Sequence, residues 1–286
     1  MAVVDLIAGY LGDYWFFHSK GGSNKRTIAL IEDKHDIVVF GSSRAHHHYD
    51  APLMSEMLDL DVYNAGYNGN GVVLAYGLLE LVIENYKPEL VIYDVEPSFD
   101  INIYLPDNHH IRYIDGLKPF YTHESIKEII KGISKEEWHK VHSGLLRYNS
   151  NLINALGCYI WSNSIIMRGY EPLGGQLRGE LGIDTTIDNT DDFKLGYLQK
   201  MIYLCKQHNI PIIFISSPRY ALGASNVLSP VKQLCESSDV LFLDYSEDTV
   251  FLNHKEWFRD INHLNSVGAK IYSEKVVGDV KDCINK

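Results

Sequence analysis

Two short segments at opposite ends of the chain carry residues that can perform nucleophilic chemistry together. Gly41-Ser42-Ser43 follows the apolar run 37–40, and near the other end Asp260 and His263 stand three residues apart. A serine hydroxyl becomes a good nucleophile when a base removes its proton, and histidine is the commonest base. A carboxylate on the other ring nitrogen fixes the histidine tautomer. The pattern predicts ester chemistry with Ser43 as nucleophile, His263 as base and Asp260 as the orienting carboxylate.

Two neighbours of Ser43 have alternative interpretations. Ser42 either competes as a hydroxyl in the oxyanion and substrate-binding region or caps the turn, and the cap is favoured. Arg44 either binds an anionic substrate group or pairs with an acidic residue such as Asp94 or Glu96. Ser217-Pro218, after a later apolar run, either lines the same cleft or forms a turn.

A tetrahedral intermediate also needs hydrogen-bond donors that are fixed before the reaction begins. The backbone amide of Ser43, at a predicted helix start, is one candidate. The glycine- and asparagine-rich loop 66–71 supplies the other, with Gly69 as the amide donor. Asn68 or Asn70 is a candidate for an additional side-chain donor.

The sequence predicts neither a metal nor a cofactor. His46-His47-His48 is a run of adjacent histidines, whereas helical metal motifs place two histidines four residues apart. A surface or cleft-rim position is therefore predicted for these three. The loop 66–71 matches no dinucleotide or phosphate-loop pattern.

The elements around these residues alternate between buried strands and helices, which predicts an α/β fold. Strands are predicted at 37–40, 61–65, 90–95, 210–216 and 240–244, and helices at about 51–59, 72–86, 192–208, 225–237 and 266–284. Right-handed crossovers favour a three-layer α/β/α sandwich with a flavodoxin-like, parallel five-stranded sheet. Ser43 then lies at the carboxyl edge of the sheet, where such folds place their sites.

Residues 98–190 interrupt this alternation. They contain few strand-like runs and several amphipathic helical stretches, for example 122–131 and 134–156. We predict one domain over 1–286 with a helical insertion at 98–190 that caps the carboxyl edge.

The composition limits which binding partners and which cellular location can be expected for the protein. A formal charge of −11 over 286 residues argues against binding to nucleic acid or to an anionic membrane surface. No run reaches the ~18 apolar residues of a spanning helix, and the apolar start at 2–11 lacks the basic region of a signal peptide. A membrane anchor upstream of this chain is one explanation for that start. The four widely spaced cysteines are expected to be buried free thiols, with a disulfide as the alternative.

The motifs resemble those of the SGNH hydrolase superfamily, the GDSL-like lipases and esterases, and in particular its cell-envelope branch. The resemblance covers about 35–100 and 208–285. Gly41-Ser42-Ser43 matches the first block, 64–69 the second and Asp260-x-x-His263 the last. The third block, Gly-x-Asn-Asp, is missing, because the corresponding strand ends in Tyr93-Asp94-Val95.

The resemblance implies Ser43 as nucleophile, Gly69 as the oxyanion glycine, and no cofactor. It also implies a glycan or small-molecule ester as substrate, in particular a carbohydrate acetyl ester, and a periplasmic or membrane-anchored location in the cell envelope. Two alternatives stay open at this point. One is a polysaccharide O-acyltransferase that uses the same triad. The other, favoured by the missing block, is a catalytically weak carbohydrate-binding protein.

Overall fold

A computed structural model of the chain describes residues 2–102, 109–149, 151–161, 167–183 and 190–284. They form two compact units. One comprises Met1–Lys34, Gly77–Tyr86 and Pro106–Ile166, and the other His35–Tyr76, Lys87–Leu105 and Met167–Lys286. The predicted insertion at 98–190 is therefore divided between the two units. Its role as a cap stays a prediction.

The second unit is built on a parallel sheet of five strands in the order β2-β1-β3-β4-β5. The strands are β1 Ile37–Gly41, β2 Val62–Asn64, β3 Leu90–Asp94, β4 Ile212–Ser216 and β5 Leu241–Asp244. Gly41 pairs with Asp94 and Ser216 with Asp244, so these strands end together at one edge. The predicted strands and the flavodoxin-like order are confirmed.

Both faces of the sheet are buried, as expected for strands with continuous apolar runs. On one face the side chains of Ile37, Ile92 and Ile213 belong to a cluster that includes Tyr272 and Val276 of the last helix. Because side chains alternate along a strand, the intervening residues point to the other face. They are also fully buried: Val38, Phe40, Val91, Tyr93 and Phe214. The fold is the predicted three-layer α/β/α arrangement.

The remaining elements are mostly short helices. In chain order the α-helices are α1 Ala2–Phe17, α2 Gly22–Glu32, α3 Ser43–His48, α4 Ala51–Leu58, α5 Val72–Asn85, α6 Pro97–Asp100, α7 His109–Arg112, α8 Glu124–Ile133, α9 Lys135–Lys140, α10 Gly144–Tyr148, α11 Asn151–Ile160, α12 Asp192–Gln207, α13 Ala224–Val227, α14 Ser229–Ser237, α15 Thr249–Leu252 and α16 Ser266–Ile284. Asp115–Phe120 and Lys255–Trp257 are 3-10 helices, and the two-residue strands Gly182–Ile183 and Ala221–Leu222 pair in parallel.

The first unit is helical in its described residues. Helices α1 and α10 approach so closely at Gly9 and Gly144 that a Cβ on Gly144 would lie 2.3 Å from the Cα of Gly9. Asp13 of α1 accepts hydrogen bonds from Arg147 and from the Tyr148 hydroxyl, at 2.8 and 2.7 Å. Across the residues that the structure describes, every helix is too short or too polar to span a bilayer.

Three of the cysteines, Cys158, Cys205 and Cys235, are buried free thiols, as predicted. The side chain of Cys283 lies outside the described residues. Burial raises the pKa of Cys205 and of Cys235 to about 12, so both are protonated and unreactive at neutral pH.

Candidate active site

The turn that presents Ser43 depends on Gly41. Its φ of +146° lies in a region that favours glycine. A Cβ at this position would lie 2.7 Å from the carbonyl oxygen of Asp94 and 2.8 Å from the Cβ of Ala45. The chain therefore turns sharply from β1 into α3, and Ser43 becomes the first residue of that helix.

Ser43, His263 and Asp260 form one continuous chain of hydrogen bonds. The hydroxyl oxygen of Ser43 lies 2.8 Å from Nε2 of His263. Nδ1 of His263 lies 2.9 and 3.0 Å from the two carboxylate oxygens of Asp260. An ionised carboxylate can only accept, so Nδ1 carries the proton and Nε2 faces the serine as the acceptor. The structure brings together the three residues that the sequence predicts as a triad.

Asp260 is also held by its own turn. Its Oδ1 accepts the backbone N–H groups of Asn262 and His263, at 2.8 and 3.0 Å. Partial burial raises the pKa of Asp260, but the hydrogen bonds from the His263 ring and these two amides outweigh it and leave the pKa below the usual 3.8. The carboxylate is therefore charged at neutral pH and can stabilise an imidazolium.

The structure decides between the alternatives for Ser42 and Arg44. Ser42 is fully buried and caps α3, because its hydroxyl accepts the backbone N–H of Arg44 at 3.3 Å. The guanidinium of Arg44 is buried as well; it donates to the carbonyl of Val95 and lies 3.9 Å from the carboxylate of Asp94. The favoured cap of Ser42 and the acidic partner of Arg44 are therefore the alternatives observed, and the substrate-binding alternatives are wrong, since both side chains are buried.

The predicted oxyanion loop is fastened to the end of β1. The amide of Asn64 donates to the carbonyls of Ala45 and Tyr49 at 2.7 and 2.9 Å, which ties the end of β2 to α3. The backbone N–H of Tyr67 donates to the carbonyl of Gly41 at 3.0 Å. Gly69 follows in a left-handed conformation with φ +69°, and Asn68 is exposed. The loop thus begins next to the turn that carries Ser43, and the donor roles of Gly69 and Asn68 stay predictions.

Asp94 occupies the position at which the third block is missing. It is fully buried; its Oδ1 accepts the Ser217 N–H at 2.9 Å and the Tyr49 hydroxyl at 3.2 Å, and its Oδ2 accepts the Ser217 hydroxyl at 3.0 Å. Burial raises its pKa to about 6, while the Arg44 charge and these hydrogen bonds act in the opposite direction. Ser217 is thus neither a cleft residue nor only a turn residue, because it is part of this buried network.

The three consecutive histidines are buried, which contradicts the predicted surface or cleft-rim position. His46 Nε2 lies 2.9 Å from a carboxylate oxygen of Glu171, and His47 Nδ1 lies 2.7 Å from the Glu171 carbonyl. His48 lies within the fold, with its ring 6.2 Å from that of His263. The partners of these histidines come from distant parts of the sequence: Glu171 contacts His46 and His47, and Ser217 and Leu264 contact His48.

His46, His47 and Glu171 could also hold a metal ion, because each offers a ligand atom and these atoms lie within 4.8 Å of one another. The hydrogen bond from His47 to a backbone carbonyl is of the kind that orients histidine ligands. The expected absence of a metal therefore stays a prediction.

A cavity of about 690 Å³ borders the segment 259–264, which carries Asp260 and His263 and is called the catalytic segment below. It is lined by Gly175, Gln176, Leu177, Arg178 and Arg259. Arg259 directly precedes Asp260, and its backbone N–H donates to the carbonyl of His263 at 2.8 Å. No sequence pattern indicated this cavity, because residues 175–178 belong to a stretch without helix or strand periodicity.

Comparisons with known proteins give structural neighbours only. No family model matches the chain, and no curated protein does. A protein described as lipolytic and of the G-D-S-L family, from Desulfitobacterium hafniense DCB-2, has 12% identity and a TM-score of 0.42 over 85% of this chain and 98% of its own. The acetyl xylan esterase AlAXEase has 13% identity and a TM-score of 0.44 over 85% and 99%. An acetyl xylan esterase from Butyrivibrio proteoclasticus has 10% identity and a TM-score of 0.40 over 88% and 65%. The functional conclusion therefore rests on the site itself.

Proposed function

We propose that this protein is a serine esterase of the SGNH type that removes acyl groups, specifically acetyl groups, from a carbohydrate. The observation that carries the proposal is the hydrogen-bonded chain from Ser43 through His263 to Asp260. Nucleophile, base and orienting carboxylate act as a unit only when both hydrogen bonds are present together. Ser43 is also only partly buried, so an ester can reach its hydroxyl.

The residues support a two-step reaction. In the first step the Ser43 oxygen attacks the ester carbonyl carbon while its proton passes to Nε2 of His263. His263 then returns that proton to the sugar oxygen as the ester C–O bond breaks, which leaves an acyl group on Ser43. In the second step His263 takes a proton from water, and the resulting attack releases the acid and restores the serine. The Asp260 carboxylate stabilises the imidazolium in both steps.

The tetrahedral intermediate of each step carries a negative oxygen. The backbone amides of Ser43 and Gly69 are the proposed donors to it, because both lie close to the turn after β1. Asn68 is the proposed additional donor, since its side chain is exposed on the same loop. Asp94 cannot replace the missing asparagine of the third block, because its carboxylate is buried against Arg44 and Ser217.

The cavity beside Arg259 supports a carbohydrate as the alcohol part of the ester. Its volume of about 690 Å³ suits one or two sugar rings, and its walls offer guanidinium, amide and backbone groups that can bond to hydroxyls. A long acyl chain would instead require an apolar channel.

The test is acetate release from acetylated glycans and from an aryl acetate, with wild type and Ser43→Ala compared. Labelling by a fluorophosphonate probe, which requires an activated serine, is measured in parallel. We expect both signals from wild type and neither from the variant. Equal rates for the two proteins would refute the assignment of Ser43. Absence of release and of labelling in wild type would favour a carbohydrate-binding protein, and acetylated sugar products made only with an added acceptor would identify an acyltransferase.

A further inference from the structure

The buried histidine at the end of α3 contacts the catalytic segment directly. Nε2 of His48 lies 3.0 Å from the backbone nitrogen of Leu264, the residue that follows His263. A backbone N–H can only donate, so Nε2 of His48 is unprotonated and accepts this hydrogen bond. His48 thereby holds the main chain one residue after the proposed base.

The other nitrogen of the His48 ring is hydrogen-bonded to residues at the carboxyl edge of the sheet. With Nε2 as acceptor, the proton of the neutral ring lies on Nδ1, which is 3.0 Å from the hydroxyl oxygen of Ser217. That hydroxyl in turn donates to Oδ2 of Asp94 at 3.0 Å. In the series Leu264, His48, Ser217 and Asp94, each residue thus donates a hydrogen bond to the next. The series fixes the tautomer of His48.

We propose that His48 is a positioning residue for the base, which sets the place of His263 relative to Ser43 through the backbone of Leu264. Helix α3 has only six residues, with Ser43 at its start and His48 at its end. Its two ends each form a hydrogen bond with the catalytic segment, one from Ser43 to the His263 ring and one from the Leu264 amide to His48. Both contacts come from a single rigid element, so nucleophile and base keep a constant separation.

The groups around His48 are consistent with a permanently neutral ring. Full burial, His263 across the site, Arg44 on the same helix and His47 next to it all lower the pKa of His48 well below its usual 6.5. Asp94 is the acidic group on the Nδ1 side of the His48 ring, and its carboxylate bonds to Ser217 rather than to His48 itself. His48 therefore stays an acceptor for Leu264 while His263 gains and loses its proton.

The inference rests on the proposed function, and the test includes a readout that does not. We compare wild type with His48→Phe, which keeps a ring but removes both hydrogen bonds, and with His48→Gln, whose side-chain oxygen can reach the Leu264 amide. His35→Phe is the matched control, because His35 is also buried but bonds to Asp61 instead. For each protein, hydrogen exchange of the Leu264 amide is followed by NMR, and kcat and KM are measured with an aryl acetate.

In His48→Phe we expect faster hydrogen exchange at the Leu264 amide and a fall in kcat of about 10- to 100-fold with little change in KM. In His48→Gln we expect both the exchange rate and kcat to return most of the way to the wild-type values. The control should match wild type. If wild type has no esterase activity but exchange at Leu264 still responds in this way, the proposed reaction fails while the positioning contact stands. A folded His48→Phe protein with wild-type exchange and kcat would overturn the inference, as would a Gln variant no better than Phe. If His48→Phe does not fold, Ser217→Ala, which removes the partner of Nδ1, must show the same loss.

Discussion

The Ser43 hydroxyl lies 2.8 Å from Nε2 of His263, although 220 residues separate the two in the chain. The contact exists because β1 delivers Ser43 to the edge of the sheet, and the turn at Asp260 presents the ring of His263 to the same edge. Both residues belong to the unit that contains the sheet. Each part of the proposed chemistry can be tested by substitution.

Replacement of the nucleophile should abolish activity, whereas replacement of its neighbour should not. We expect Ser43→Ala to lower kcat by several orders of magnitude, because a base without its nucleophile contributes little. Ser42→Ala is the matched control, since it removes a hydroxyl one residue away. It should cost ~1 kcal/mol of stability through the lost helix cap and leave kcat within a few-fold of wild type. Acetate release and urea unfolding measure the two effects, and a large loss of activity in Ser42→Ala would contradict the assignment.

Replacement of the orienting carboxylate should impair the reaction without unfolding the protein. An amide in Asp260→Asn can donate as well as accept, so it no longer enforces the Nδ1–H tautomer of His263. We expect kcat to fall by about 10²–10⁴-fold, with an unchanged circular dichroism spectrum because Asp260 is half exposed. Asp248→Asn, which changes a carboxylate at the N-cap of α15, is the control. Near-wild-type turnover in Asp260→Asn would show that His263 is oriented by other contacts.

The pH dependence of activity should reflect one ionisation on its acid side. Hydrogen bonds hold the pKa of Asp260 below 3.8, so this carboxylate is already charged throughout the range in which an imidazole titrates. The general base must be unprotonated to accept the serine proton, so with one essential group titrating, log kcat/KM should decline with a slope of one as the pH falls. The measurement is initial rates with an aryl acetate between pH 4.5 and 8. A slope of two would mean that Asp94, whose pKa burial raises to about 6, is essential as well.

Arg259 should affect the binding of glycan esters and not the chemical step. Its side chain lines the cavity, whereas its backbone N–H makes the bond to His263 and survives substitution. Arg259→Ala should therefore raise KM several-fold for an acetylated oligosaccharide and leave the hydrolysis of an aryl acetate unchanged. Arg112→Ala, which removes an exposed arginine from the helical unit, is the control. Equal effects on both substrates would place Arg259 in the support of the catalytic turn instead.

The sequence was sufficient to predict the sheet, its strand order and the three residues that meet at its edge. Runs of β-branched residues identify buried strands, and right-handed crossovers leave only a few strand orders, of which the flavodoxin-like one is the order predicted. The pairing of Arg44 with Asp94 was one of two alternatives, whereas the burial of the three histidines was not predictable, because their partners come from distant parts of the chain. Glu171 covers His46 and His47, and Ser217 and Leu264 enclose His48. No local pattern around residue 46 contains that information.

The helical residues 134–156 are a second place where the sequence alone was not sufficient for the prediction. The stretch 134–156 was predicted as one helical run, and the structure divides it into α9, α10 and the start of α11. Ser143 caps α10, and Asn149 ends it with a φ of +41°. The break lets Gly144 approach Gly9 of α1, so it is a requirement of packing rather than of helix propensity.

The stability of the protein should depend on pH through His48. In the folded state the pKa of His48 lies well below 6.5, whereas the unfolded chain takes up a proton as the pH falls through 6.5. Below that pH the unfolded state therefore binds more protons than the folded state, and the free energy of unfolding decreases. One such group contributes a slope of at most about 1.4 kcal/mol per pH unit. The contribution is constant above pH 6.5 and is lost progressively below it.

Urea unfolding of wild type and His48→Gln between pH 5 and 7.5 isolates this contribution, because all other titrating groups are common to the two proteins. His48→Gln should be the less stable protein at pH 7.5, since the glutamine does not replace the bond from Nδ1 to Ser217. The difference should then shrink as the pH falls, because only wild type retains the histidine that protonates on unfolding. Parallel curves for the two proteins would mean that His48 is protonated equally in both states, which a buried ring that accepts the Leu264 amide does not permit.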